Sequence, residues 1–212
     1  MNKSTLVFVI IAAIGALIIG LFLNINLSPD ESFSTEEKVA AVTFDSEVEQ
    51  VLARQMAQLT PLLTDGAIVQ AVSASNERNR NLQLEQILKL DRQWLSAESA
   101  IARAISESSA SRKLVAFQED HPGFSEIFVT DSVGLNVAQT NKTSDFYQAD
   151  ESWWIQTYNN GVGLAHHGLV EFDESARAEA ISLYVPLYDS GTSKVIGVLK
   201  AVLSIAAIKI EL

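Results

Sequence analysis

The sequence has no Cys, only 4 Pro and 3 His, and just 15 Lys+Arg against 26 Asp+Glu, for a net charge of −11 over 212 residues. Without Cys there can be no disulfides, thiolate nucleophile, thiolate zinc site or lipid on a Cys. The shortage of positive charge argues against a nucleic-acid partner, because phosphate binding draws on clustered Lys and Arg. His166-His167 is the one close pair of imidazoles, and neighbouring rings on a chain diverge. With His121 far off in sequence, no metal centre and no cofactor are expected. No Asp-x-Asp-x-Asp-Gly calcium loop, Gly-x-Ser-x-Gly elbow, Walker loop or dinucleotide fingerprint occurs. Asp145 with Glu151 and Asp173 with Glu174 are close in sequence, but that does not set the carboxylate separation hydrolysis needs. A non-enzymatic role is expected.

Apolar residues are plentiful but unevenly placed. Leu6–Leu23 is apolar apart from Gly15 and Gly20 and would span about 27 Å as a helix, close to the hydrocarbon thickness of a bilayer. A cleaved signal peptide has a shorter apolar core and a small-x-small site, which Asn24-Ile25-Asn26-Leu27 does not offer. Residues 6–25 are therefore read as a transmembrane anchor. Lys3 precedes the run and Asp30, Glu31, Glu36 and Glu37 follow it, so residues 1–5 are expected in the cytoplasm. After a linker at 26–33, residues 34–212 should form one extracytoplasmic domain on a cytoplasmic membrane.

Within that domain, Ser34-Thr35-Glu36-Glu37 has capping-box spacing, and Val48, Val51, Leu52, Leu59, Leu62 and Leu63 recur near the helical period. This predicts a long helix over Thr35–Leu59, bent or ended by Pro61. Asn76–Asn81 reads as a polar break. Further helices are expected at Leu84–Leu95, Ile101–Ile105 and Arg112–Phe117. From His121-Pro122-Gly123 the period changes to that of strands. Runs at Phe124–Thr130, Leu135–Thr140, Gly168–Phe172, Ala180–Leu187 and Lys194–Ser204 predict five strands. A helix over Asp150–Asn160, capped by Asp150 and closed by Gly161, is placed after the second. Tight turns at Asp131–Gly134 and Tyr188–Gly191 point to antiparallel pairing, and the tail after Ser204 to a short helix.

Phe124-Ser125-Glu126-Ile127-Phe128-Val129-Thr130-Asp131 with Gly134, Val137 and Ala138 resembles the opening hairpin of extracytoplasmic Cache (PDC, PAS-like) sensor domains. Thr143–Trp154 resembles the loop and helix lining their ligand pocket. Tyr184–Asp189, Gly191 and Val195–Leu199 resemble their final hairpin. The resemblance covers about Phe124 to Ser204 and implies a single-module α+β domain: a PAS-like five-stranded antiparallel sheet with a long N-terminal helix, preceded by one transmembrane helix. It also implies a small-molecule pocket. Amino-acid-binding members carry an Arg two positions before the Trp and a Tyr after it. Here those positions hold Glu151 and Trp154, so the familiar grip on an α-carboxylate lacks its Arg.

Tyr147, Trp153, Trp154 and Tyr184 could form an aromatic box, with Asp145, Glu151 and Asp173 adding negative charge. Such a group suits an amine or amino-acid-like ligand. Adjacent helix residues point about 100° apart, so one of Trp153 and Trp154 should be structural, and Trp154 is assigned to the pocket. Two readings stand for Glu151, a ligand contact or a solvated helix residue. The resemblance assigns Asp173 to the ligand's amino group; composition alone makes it a turn residue. Asp131 is expected to cap backbone N–H groups. With about five residues ahead of the anchor, signalling should run through a partner membrane protein or homodimerisation along Thr35–Leu59. The reading from another class is an envelope scaffold whose pocket is filled by Trp153, Trp154 and Tyr184.

Overall fold

A computed structural model describes residues 43–173 and 178–212. The expected anchor at 6–25, the linker at 26–33 and the capping box at Ser34–Glu37 lie outside the described residues. Among the described residues, no helix is long and apolar enough to cross a membrane.

Six helices come first: α1 Ser46–Gln58, α2 Thr60–Leu63, α3 Gly66–Asn79, α4 Leu84–Trp94, α5 Ala100–Ser106 and α6 Ser109–Asp120. Then follow β1 Phe124–Asp131, β2 Asn136–Gln139, α7 Ser152–Tyr158, β3 His166–Asp173, β4 Ala178–Tyr188, β5 Val195–Ser204 and α8 Ile205–Glu211. The strands form one five-stranded sheet in the order β2-β1-β5-β4-β3, antiparallel at every junction. Two turns set this order. At the first, Gly134 takes φ +91°, open to glycine, where an added side chain would collide with Ala149. At the second, Asp189 Oδ1 accepts from the backbone N–H groups of Gly191 and Thr192, an Asx-type turn.

Strand alternation divides the sheet into two faces. Ile127, Val129, Ile181, Leu183, Val185, Leu187, Leu199, Ala201 and Leu203 form the floor of the main core. Against it pack Val51, Leu52 and Leu59 from α1, Ile68 and Val72 from α3, Leu114 from α6 and Ile208 from α8. A smaller cluster gathers Ile87, Trp94, Ala102, Leu135 and Phe146 under α4 and α5. There Trp94 stacks on Phe146 at 5.1 Å and donates from Nε1 to the Thr143 carbonyl at 2.8 Å. The opposite sheet face carries Phe128, Thr130, Tyr184 and Lys200 and is overlain by α7.

Polar bonds fix α3 to the sheet. The Asp131 carboxylate, fully buried, accepts from Ser75 Oγ and Asn79 Nδ2, each at 2.8 Å, and from the N–H groups of Val133 and Leu135. Asn76 donates to the Ile196 carbonyl at 2.7 Å and accepts from the Ser132 N–H at 2.8 Å. Asp131 thus caps N–H groups of its turn, as expected, and also reaches across to a helix.

Three expectations are corrected. The first described helix does not reach back unbroken toward Thr35: Thr43–Asp45 are not helical, and α1 starts at Ser46 with Asp45 at its N-cap. The Phe44 N–H donates to Glu49 Oε1 at 2.7 Å, tying the extended segment ahead of the helix to its first turn. Second, α3 occupies Gly66–Asn79, and Asn76–Asn79 belong to its last turn rather than to a break. Its inward side is partly polar, so the apolar period is faint there. Third, α7 is capped by Glu151 instead of Asp150, without a side-chain cap bond. It is closed by Asn159 and Asn160 at φ 46° and 53° ahead of Gly161, since Asn tolerates the left-handed region.

Three mutations test this account. A Cβ at Gly197 would be driven into the Thr130 carbonyl oxygen and lie 3.1 Å from Val72 Cγ1, whereas one at Gly66 would meet nothing within 4 Å. Gly197→Ala should cost about 2–3 kcal/mol in urea unfolding, and Gly66→Ala less than about 0.5 kcal/mol. Asp131→Ala removes the shared acceptor of four hydrogen bonds and should cost about 3 kcal/mol or more in the same assay. Near-wild-type stability of that variant would refute the role given to the carboxylate.

Candidate ligand-binding site

In-register pairing lines up one residue from each of four strands: Phe128 on β1, Lys200 on β5, Tyr184 on β4 and His166 on β3. Opposite residues of antiparallel strands share a face, so this row forms the floor of a site. The short helix α7 lowers Trp153 onto it. Trp153 stacks on Tyr184 at 5.1 Å and 13°, and meets Phe128 edge-on at 6.0 Å. Lys200 Nζ lies 5.0 Å from the Trp153 ring centre, 5.8 Å from that of Phe128 and 5.9 Å from that of Tyr184. The chain's own ammonium therefore occupies the cation position of the aromatic box, at distances where ring quadrupoles attract it.

Beside this cluster is a cavity of 270 Å³ lined by Ser144, Asp145, Gln148, Glu151, Ser152, Trp153, Glu171, Tyr184 and Lys200. Three acidic residues and one lysine line it, so the lining carries a net negative charge. Burial pushes the Tyr184 phenol above its usual value; a hydrogen bond with Ser182 opposes this, and Glu171 and Glu151 add to it. Gln148 Nε2 and Asn136 Nδ2 both donate to the Asp145 carbonyl, at 2.8 and 2.9 Å, which holds the loop bearing Asp145 against β2.

His166 closes the far end of the row, its ring 4.8 Å from Tyr184 and its Nε2 3.0 Å from Thr157 Oγ1. Burial pushes its pKa below 6.5; backbone hydrogen bonds with His167 and Trp153 oppose this and the His167 charge assists it. The next ring points elsewhere: His167 Nε2 lies 3.2 Å from Glu49 Oε2 on α1. The two imidazoles diverge, each engaged with a different element.

The structure brings together Asp145, Glu151, Trp153 and Tyr184 from the residues singled out in the sequence. Tyr147 is elsewhere. It packs against the smaller cluster, its N–H donates to Asp91 Oδ1 at 3.1 Å, and its phenol is pushed up by burial and then by Asp150. Trp154 is corrected as well. It is the structural member of the Trp pair, buried, stacked on Tyr158 at 4.7 Å and donating from Nε1 to Thr130 Oγ1 at 2.8 Å. Asp173 ends β3 opposite Ala178; its side chain lies outside what the structure describes. Phe128, Gln148, Glu171 and Lys200 were not foreseen. Lys200 had a signal, a charge set in the apolar run Val195–Leu203.

The His166 pKa shift generates a testable pH dependence. With its folded pKa depressed, His166 takes up a proton more readily in the unfolded chain once pH drops below about 6.5. Its contribution to stability is therefore full above that value and is lost as pH falls through the folded pKa. Between pH 7.5 and 5, the melting temperature of wild type should fall relative to His166→Gln. Parallel curves for the two proteins would contradict this.

No protein-family model and no curated protein matches this sequence. Solved structures do. The Escherichia coli DcuS sensor domain is 20% identical at a TM-score of 0.37, covering 60% of this chain and 92% of that one. The ligand-binding domain of the Campylobacter jejuni chemoreceptor Tlp3, solved with 4-methylisoleucine, is 16% identical at a TM-score of 0.39 over 78% of this chain. The sensor domain of the Vibrio cholerae histidine kinase DctB is 15% identical at a TM-score of 0.37, also over 78% of this chain. The match spans 63% of the Tlp3 chain and 60% of the DctB chain. Each of these three proteins is a sensor or ligand-binding domain.

Proposed function

We propose that this chain is a membrane-anchored extracytoplasmic sensor that binds a small amine or amino-acid-like molecule and signals through a partner membrane protein. The observation that carries the reading is the 270 Å³ cavity, lined by the acidic residues Asp145, Glu151 and Glu171 beside the Trp153–Tyr184 stack. Its volume suits a compact ligand and is below the size of drug-binding clefts. Because Lys200 already holds the ring faces, the ligand's cation belongs on the carboxylate side. Any acidic group on the ligand would be directed to Lys200. A ligand bridging the Asp145 loop, α7 and β4–β5 would bias the domain between two states by its differential affinity for them.

One feature favours a second reading, an envelope scaffold that binds no small molecule. Lys200 among Phe128, Trp153 and Tyr184 fills the box from within. A thermal-shift screen of the whole chain against amines, amino acids and short carboxylates separates the two. At 100 times its Kd, a ligand adds about 2.7 kcal/mol and raises the melting temperature by a few degrees. The sensor reading expects amines or amino acids to do this and Glu151→Gln to weaken them about 10-fold. It also expects Lys200→Met to weaken amino acids more than simple amines. If no amine or amino acid moves the transition, the scaffold reading takes its place.

A further inference from the structure

His166 and His167 stand side by side at the start of β3, an edge strand of the sheet, and strand alternation sends them to opposite faces. His166 belongs to the floor of the candidate site. His167 lies opposite Leu183 of the main core and meets the entry to α1. Its ring is 5.3 Å from that of Phe44, and its Nε2 is 3.2 Å from Glu49 Oε2. The other ring nitrogen, Nδ1, is 3.0 Å from the Gly168 carbonyl oxygen. Glu49 is engaged through both of its oxygens, because Oε1 accepts the Phe44 N–H at 2.7 Å. With the His167 and Glu49 side chains 13% and 34% exposed, the pair is shielded better than a surface ion pair yet exchanges protons with solvent.

Both imidazole nitrogens of His167 thus face oxygens. A carbonyl and an ionised carboxylate only accept, whereas a neutral imidazole has a single N–H to give. Once Nδ1 donates to Gly168, a bare Nε2 lone pair would confront the Glu49 carboxylate. The contact is satisfied when the pair holds one further proton, on Nε2 or on the Glu49 carboxyl. The titratable groups that face the ring are Glu49, from α1, and His166, its neighbour on β3, whose own protonation would repel it. Phe44, from the entry segment, and Leu183, from β4, carry no charge. We propose that His167 and Glu49 form a proton-held latch that fastens the entry of α1 to the edge of the sheet. It is closed while the pair holds this proton and released when rising pH removes it. The latch rests on the sensor reading for its setting, an anchored domain that external pH reaches, and not on the cavity beside Trp153.

The test is amide hydrogen exchange at Phe44 in the whole chain, followed by NMR and corrected for the intrinsic effect of pH. Val72, fully buried on α3, reports global unfolding. In wild type, Phe44 should be about 10-fold better protected at about pH 5.5 than at about pH 8, relative to Val72. Glu49→Gln should close the latch without the proton. Its amide N–H donates to the neutral Nε2 while its oxygen still accepts from Phe44, so protection should stay high at both pH values. His167→Phe keeps a ring against Phe44 but no donor, and its protection should be about 10-fold lower than that of Glu49→Gln at both. Equal protection of wild-type Phe44 at the two pH values overturns the latch, as does a Glu49→Gln variant that follows pH as wild type does. If Val72 also loses protection in His167→Phe, that variant is destabilised as a whole, and wild type and Glu49→Gln decide. No ligand enters the test, so its failure leaves the sensor reading standing, and a ligand screen without hits leaves the latch standing.

Discussion

The carboxylate of Asp131 holds the two halves of this fold in register. It is buried, no Lys or Arg pairs with it among the described residues, and four hydrogen bonds take the place of water. Two of those bonds shape the β1–β2 turn and two reach Ser75 and Asn79 on α3. A buried charge is tolerated only when its acceptor sites are filled, so helix and hairpin must keep this one relative position. Gly197 completes the arrangement, because its lack of a side chain lets β5 lie against Thr130 and Val72. Everything that depends on the sheet's free face follows from this docking, including Thr130, which receives the Trp154 indole.

On that face the dominant electrostatic fact is the position of Lys200. An ammonium taken out of bulk water and set among three rings recovers part of its lost hydration from their quadrupoles. Asp145, Glu151 and Glu171 line the same cavity as this lysine and outnumber it. The result is a site in which positive and negative poles lie side by side, with aromatic faces already engaged by the chain itself. The loop Thr143–Phe146 divides this site from a second hollow under α4 and α5: Asp145 lines one and Phe146 the other. Asn136, which holds the Asp145 carbonyl, also lines the second hollow, so one side chain stands at the boundary between the two.

Most strands could be read from the sequence because alternation over five to ten residues has a single structural meaning when one face is buried. The expected run Ala180–Leu187 lies within β4, and Gly134 has the positive φ that its turn position suggested. The helix α3 was hidden for the converse reason. Ser75, Asn76 and Asn79 point inward to bind the hairpin and β5, so polar residues stand where an amphipathic pattern would place apolar ones. The Trp pair was ambiguous in the same way: the 100° between neighbours says that one ring is structural but not which. The contact with Thr130, more than twenty residues away along the chain, makes that one Trp154.

By itself, then, the sequence determined what local chemistry can determine: an acidic, Cys-free chain, helices followed by antiparallel strands, and a loop rich in acids and aromatics near Trp153. Tertiary structure decided which of those groups meet. The row Phe128–Lys200–Tyr184–His166 exists because four strands pair in one register, and no spacing along the chain encodes that alignment. Tyr147 left the site, and Lys200 and Glu171 joined it, for the same reason. Side-chain proximity is set by cross-strand pairing and by the docking of α7, which join residues far apart in sequence, whereas a motif records only neighbours along the backbone.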